Sequence, residues 1–150
     1  MTDAHISTDI NESQGPVLDI DIVSDVMCPW CIIGYKQLEQ ALAITGMGAR
    51  IRWHPFELNP NMPLTGQNTS EHIQEKYGST PEQSAQSRNQ MQALGLESGF
   101  TFNWSPESRM WNTFITHQLL DFALSQSKQH PLKMALLTAH FTDQRDLSKK

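Results

Sequence analysis

Both cysteines of this chain lie three residues apart, in Asp25-Val26-Met27-Cys28-Pro29-Trp30-Cys31, where a β pattern gives way to a helical one. Thiols at i and i+3 can close a disulfide across a first helical turn without distorting it. Pro29 suits that turn, because its φ is already helical and its missing N–H would have no intrahelical partner there. Cys28 then stands at the helix N-terminus, where unpaired backbone N–H groups and the positive end of the macrodipole favour a thiolate. A C-x-x-C thiol so placed can have its pKa lowered from about 8.5 into the range of roughly 3.5–7.5. Cys28 is therefore expected to be the nucleophile and Cys31, one turn inside, the resolving thiol. Pro29 and Trp30 between them are expected to tune the redox poise and shield the disulfide. The competing readings are half of a zinc site and two inert buried cysteines. Zinc needs four ligands, and the sequence has no second C-x-x-C and no paired His-x3-His, so no metal is expected.

The bulk properties narrow the setting. A chain of 150 residues is one-domain sized and can bury roughly 68–70% of its unfolded surface, enough for a core without staples. Its net charge of −5 argues against nucleic acid or an anionic membrane as partner, and no apolar run is long enough to span a bilayer. Residues 1–16 lack both a positive n-region and an apolar h-region, so they do not read as a secretory signal. With Met1 as the native start, a cytoplasmic protein is expected, in which a lone cysteine pair is more often catalytic or redox-sensing than structural.

Along the chain, residues 1–16 read as a polar, mobile tail. Residues 17–23 mix β-branched residues with partial alternation, Leu18, Ile20 and Ile22 facing one way, and predict a strand. After the cysteine turn, Ile32, Tyr35, Leu38 and Leu42 recur at helical spacing to about Thr45, and Gly46 supplies the stop. Residues 50–56 alternate again, giving Ile51, Trp53 and Phe56 as the buried set of a second strand, with Pro55 at its exit. The product is a β-α-β unit over residues 17–58, with a crossover suited to parallel strands. A Pro/Gly-rich loop follows to Gln67, and then only helices are predicted, from about residue 68 to the end. One covers residues 70–77. A second, capped by Thr80-Pro81-Glu82-Gln83, runs to about Leu94, stopping before Gly95, and is peripheral. A third opens at Ser105-Pro106-Glu107, its stripe Met110, Trp111, Phe114, Ile115, Leu119, Phe122 and Ala123 reading as core. Pro131 opens the last.

Three separated motifs carry a family resemblance: Ser24-Asp25-x-x-Cys28-Pro29-Trp30-Cys31-x-x-Gly34, Trp53-His54-Pro55-Phe56-Glu57-Leu58-Asn59-Pro60-x-Met62-Pro63, and Ser108-Arg109-Met110-x-Asn112-Thr113-x-x-x-His117. In this order they resemble the DsbA-like thioredoxin-fold oxidoreductases of the FrnE type, related to kappa-class glutathione transferases and hydroxychromene-carboxylate isomerases. The resemblance implies an α/β, thioredoxin-like βαβ core with a helical insertion. It also implies a helix return, a cis-proline loop and two further strands beyond residue 150, so the domain over residues 17–150 is expected to be C-terminally incomplete, with part of its sheet missing. The related transferases usually carry Ser at the position of Cys28, so the retained pair favours dithiol chemistry. They hold thiol ligands near Phe56, Leu58 and Asn59, which makes Phe56 and Asn59 candidates for substrate contact.

Among the remaining polar residues, Asp25 reads first as a turn or cap residue, with proton relay to the resolving thiol as the sharper role. His54 and His117 read as packed or hydrogen-bonding residues, and His5, His72, His130 and His140 show no ligand spacing. The expected function is thiol–disulfide oxidoreduction without a cofactor, with glutathione admitted as co-substrate. The expected partners are protein or small-molecule thiols and disulfides, with a homodimer also admitted. Two alternatives stand beside it: a glutathione-dependent transferase or isomerase, and a non-catalytic redox-sensing fragment completed by a partner.

Overall fold

The computed structural model describes residues 15–149. Strand β1 (Val17–Ser24) and strand β2 (Gly48–Pro55) pair in parallel, from Val17 opposite Gly48 to Ser24 opposite Pro55. Helix α1 (Pro29–Thr45) makes the crossover between them and ends on Gly46, whose left-handed φ of 66° favours a residue without a Cβ. The fold is α/β and thioredoxin-like. Most of the mobile tail expected over residues 1–16 lies outside the described residues. Pro16, which is described, already belongs to the sheet, since its carbonyl accepts from Gly48 N at 3.1 Å.

Ile51 and Trp53 face the core as their alternation requires, and Ile20 and Ile22 are half-buried against it. Leu18 and Phe56 depart from expectation, and both are exposed. Phe56 leaves the strand behind Pro55 and is 53% exposed, so the buried set of β2 stops at Trp53. His54 pairs with Asp21 across the sheet surface, its Nε2 2.6 Å from Oδ1, in keeping with a hydrogen-bonding role.

The second half is helical but for one small ladder. Strand β3 (Gln67–Asn68) pairs antiparallel with strand β4 (Arg109–Met110). Helices α2 (Thr69–Tyr77) and α3 (Pro81–Glu97) follow β3, and α4 (Phe114–Ser125) and α5 (Gln129–Phe141) follow β4. The capping box at Thr80 and Gln83 forms as its sequence requires. However, α3 does not stop at Gly95. That glycine is buried where a Cβ would stand 2.8 Å from Phe100 O and from the Phe102 ring, so it serves a close approach rather than a terminus. Nor is α3 peripheral, because Met91 joins the core of Ile32, Ile33, Ile51, Phe100, Phe102 and Phe141.

The third predicted helix is the largest correction. Residues 105–108 form a turn closed by Ser108 N on Ser105 O at 3.1 Å, β4 follows, and α4 begins only at Phe114. Its stripe therefore divides. Met110 and Ala123 are buried, Trp111 is half-buried, and Phe114, Ile115, Leu119 and Phe122 are 46 to 64% exposed, while the buried face of α4 is made with Thr116, His117 and Leu120, which lie outside the stripe.

Two side chains of α5 tie this layer to the sheet. Gln129 Oε1 accepts from Trp53 N and its Nε2 donates to Trp53 O, both at 3.0 Å, so a buried amide takes the place of a neighbouring strand. His130 Nδ1 accepts from the Trp53 indole at 3.0 Å, which leaves the proton on Nε2, 3.0 Å from the Tyr35 hydroxyl. Tyr35 in turn donates to Glu39 at 3.1 Å. One chain of hydrogen bonds thus fixes β2, α5 and α1 around the cysteine helix.

Candidate active site

Strand β1 ends at the buried Ser24, and the turn that follows is anchored on both sides. Val26 and Met27 insert fully into a second core with Met62, Met110 and Leu120. Asp25 is buried as well. Its carboxylate accepts from Met27 N at 3.3 Å, Leu58 N at 2.9 Å and the Thr113 hydroxyl at 3.3 Å. His117 Nε2 stands 3.4 Å from Oδ1, without meeting hydrogen-bond geometry to any partner. Burial opposes ionisation of Asp25, but the approach of His117 and the Leu58 and Met27 N–H groups outweighs it and holds the carboxyl below its ordinary range. Asp25 is thus more than a turn residue: it fastens the cysteine turn to the loop after β2 and to the start of α4.

Cys28 takes the N-cap position of α1 with extended backbone angles, and Pro29 follows at N1. Cys28 N donates to Asp25 O and Cys31 N to Cys28 O, each at 3.2 Å. Both thiols are free and half-buried, and Trp30 between them is 49% exposed. The sulfurs titrate as one pair. The thiol–thiol hydrogen bond brings Cys31 down to about 7, against its burial and helped by Lys133. The same bond, with burial, pushes Cys28 far up. Sequence reasoning expects the lowered value at Cys28. In the structure the lowering belongs to the pair, because whichever sulfur is charged takes a hydrogen bond from the other. The backbone N–H groups of Trp30 and Cys31 still favour charge on Cys28.

Lys133 is the residue that sequence reasoning missed. It is 1% exposed, and its Nζ lies 5.0 Å above the Trp53 ring, a cation–π distance. Among the described residues no carboxylate lies within 4 Å of it. Burial lowers its pKa to about 8, against the pull of Asp25, Cys31 and Cys28. A signal was available: α5 is apolar at Leu132, Met134, Ala135, Leu136 and Leu137, and a single lysine inside that run has no open face.

A groove of about 360 Å³ opens beside Cys28, Pro29 and Trp30 and runs between α2, α3 and the end of α5. Leu58 and Asn59 line it, while Cys31 and Phe56 do not. Asn59 Oδ1 is 2.8 Å from Lys76 Nζ and 3.0 Å from His72 Nε2, which ties the loop after β2 to α2. Of the candidate residues, the structure brings together Asp25, Cys28, Pro29, Trp30, Cys31 and Asn59, and leaves Phe56 on the surface.

Comparison with known proteins gives the family and the fold. The family described as the DSBA-like thioredoxin domain matches residues 19–150. The uncharacterised protein YwbO of Bacillus subtilis is 40% identical over 42 residues, which are 28% of this chain and 20% of YwbO. The crystal structure of a probable DsbA oxidoreductase from Streptomyces coelicolor superposes with a TM-score of 0.78 at 27% identity, over 86% of this chain and 56% of that one. The chain therefore spans about half the length of that solved relative. On its sequence match and its fold, the chain belongs to the DSBA-like thioredoxin domain family.

Proposed function

We propose that this chain exchanges thiols with disulfides through Cys28 and Cys31. The observation that carries the reading is the placement of two free thiols one turn apart at the N-terminus of α1, with Cys28 on the groove and Cys31 behind it. Cys28 as thiolate attacks one sulfur of a substrate disulfide, forming a mixed disulfide and releasing the first substrate thiolate. Cys31 then attacks Cys28 Sγ, loses its proton and releases the second substrate thiol. The substrate gains two electrons and the pair loses two. Run backwards, the same steps oxidise a dithiol. Membership of the family and the oxidoreductase named among its solved relatives support this reading.

Trapping tests it. In Cys31→Ser the mixed disulfide on Cys28 should accumulate and be visible by mass, while Cys28→Ser should trap nothing. A protein that turns over a thiol conjugation at full rate without Cys31 would instead be a glutathione-dependent transferase, and the dithiol reading would fall.

A further inference from the structure

We propose that the groove beside Cys28 selects small disulfides and thiols that carry carboxylates, held at its rim by Lys76, Arg88 and Arg109. This deepens the exchange reading above and rests on it for the chemistry, though not for the binding.

Three cations and no Asp or Glu line the groove, in a chain of net charge −5. None of the three lies within 4 Å of a carboxylate among the described residues. Their hydrogen bonds go to neutral acceptors instead. Lys76 donates to Leu58 O and Asn59 Oδ1, Arg88 to the Ser70 hydroxyl at 3.3 Å, and Arg109 to Thr65 O at 2.9 Å. Glu107 lines only an adjoining cleft that shares Arg109 with this one. The charge at the rim is thus satisfied geometrically but not compensated, which favours an anionic ligand.

His140 lines both this groove and the adjoining cleft and is 6% exposed; its Nδ1 has no hydrogen-bond partner among the described residues, but the atom itself is fully buried, so the charge that recognises an anion comes from the three rim cations. The floor is apolar, with Met27, Met91 and Trp104, and the volume lies in the small-molecule range. An apolar floor suits the carbon–sulfur body of the ligand and a cationic rim its carboxylates, with Cys28 at one end.

The test compares three disulfides as oxidants of the reduced protein: dithiodiglycolate (dianion), hydroxyethyl disulfide (neutral) and cystamine (dication). A thiolate nucleophile and a net negative protein both favour the dication, so a reversal of that order requires positive charge near Cys28, and substitution of the rim cations assigns it to the groove. The dianion is expected to react roughly tenfold faster than cystamine at low salt, and the ratio should fall toward one with added salt. Lys76→Gln with Arg88→Gln should lower the ratio of dianion to neutral rate by about the same factor. Equal or faster reaction of cystamine, or a ratio untouched by the substitutions, overturns the proposal. Should no disulfide react, the exchange reading fails, and the groove is judged by thiodiglycolate, a thioether that cannot exchange. Protection of Cys28 from iodoacetamide by thiodiglycolate, lost in the double variant, upholds the anion site, and absence of protection overturns it.

Discussion

At the residue scale the site is governed by one buried ammonium. Lys133 sits in a low-dielectric interior with no carboxylate in contact, so its charge is costly, and the nearby Cys31 sulfur is among the few groups that can offset it. The two effects predict opposite signs for Lys133→Met. With the ammonium gone, the first proton of the cysteine pair should leave above the present value of about 7, by roughly half to one unit, seen as a displaced pH profile of alkylation. Stability should move the other way. A base held at about 8 in the fold and at about 10.5 in the unfolded chain is a burden at pH 7, so its removal should raise stability by up to about 3 kcal/mol in urea unfolding. A stabilised variant with an unmoved alkylation profile would show that Lys133 does not act on the pair.

His140 gives a second residue-scale expectation. Burial holds it down to about 4 in the fold, against about 6.5 when unfolded. Between those values the unfolded chain binds the extra proton, so stability is fully present above about pH 6.5 and is lost as pH falls toward 4. The loss should reach about 3 kcal/mol at most, read as a falling urea midpoint between pH 7 and pH 4. His140→Gln should flatten that slope, and an unchanged slope would remove His140 as its source.

At the scale of elements, the join between α5 and β2 rests on Gln129. Substitution to Ala would leave the buried N–H and C=O of Trp53 without partners, and each such group costs about 1–3 kcal/mol. We expect Gln129→Ala to lower stability by roughly 2–4 kcal/mol in urea unfolding, whereas Gln126→Ala, an exposed change at the end of α4, should stay within about 0.5 kcal/mol. The first half of the fold was legible because periodicity, Pro29 at N1 and Gly46 at the helix end are all local signals. The second half was legible only in part. Pro106 looks like a helix start, but the turn closed by Ser105 and Ser108 and the pairing of Arg109-Met110 with Gln67-Asn68 are long-range choices that no window around residue 106 contains. Gly95 was misread for a related reason, since its role is set by Phe100 and Phe102 folding back on α3. The cysteine pair and its turn could be found from spacing alone. Asn59 entered only through the family resemblance, and the apolar run around Lys133 signals its burial but not its place beside the cysteines; Lys133, Lys76, Arg88 and Arg109 reach the site from four different segments that no local window joins.

At the scale of the whole molecule, the described residues leave apolar surface in two places. Strand β1 forms a ladder with β2 alone, and Val17, Leu18 and Val23 along it are exposed. Helix α4 presents Phe114, Ile115, Leu119 and Phe122 as a second exposed set. An open strand edge and a row of large apolar side chains are the features by which chains pair with one another, and each such side chain gives about 1.5–3 kcal/mol when fully buried. The chain of 150 residues is therefore expected to associate as its concentration rises, with a weight-average mass above 17.0 kDa in sedimentation velocity. Leu119→Glu with Phe122→Glu should return it toward the monomer, since charge on that face opposes burial and leaves the core untouched. Should the pair of substitutions leave association unchanged, the contact lies on the β1 edge, and Val23→Lys becomes the change that breaks it. A monomer at every concentration would mean that the exposed α4 face, although apolar, is not sticky enough to repay the entropy of association.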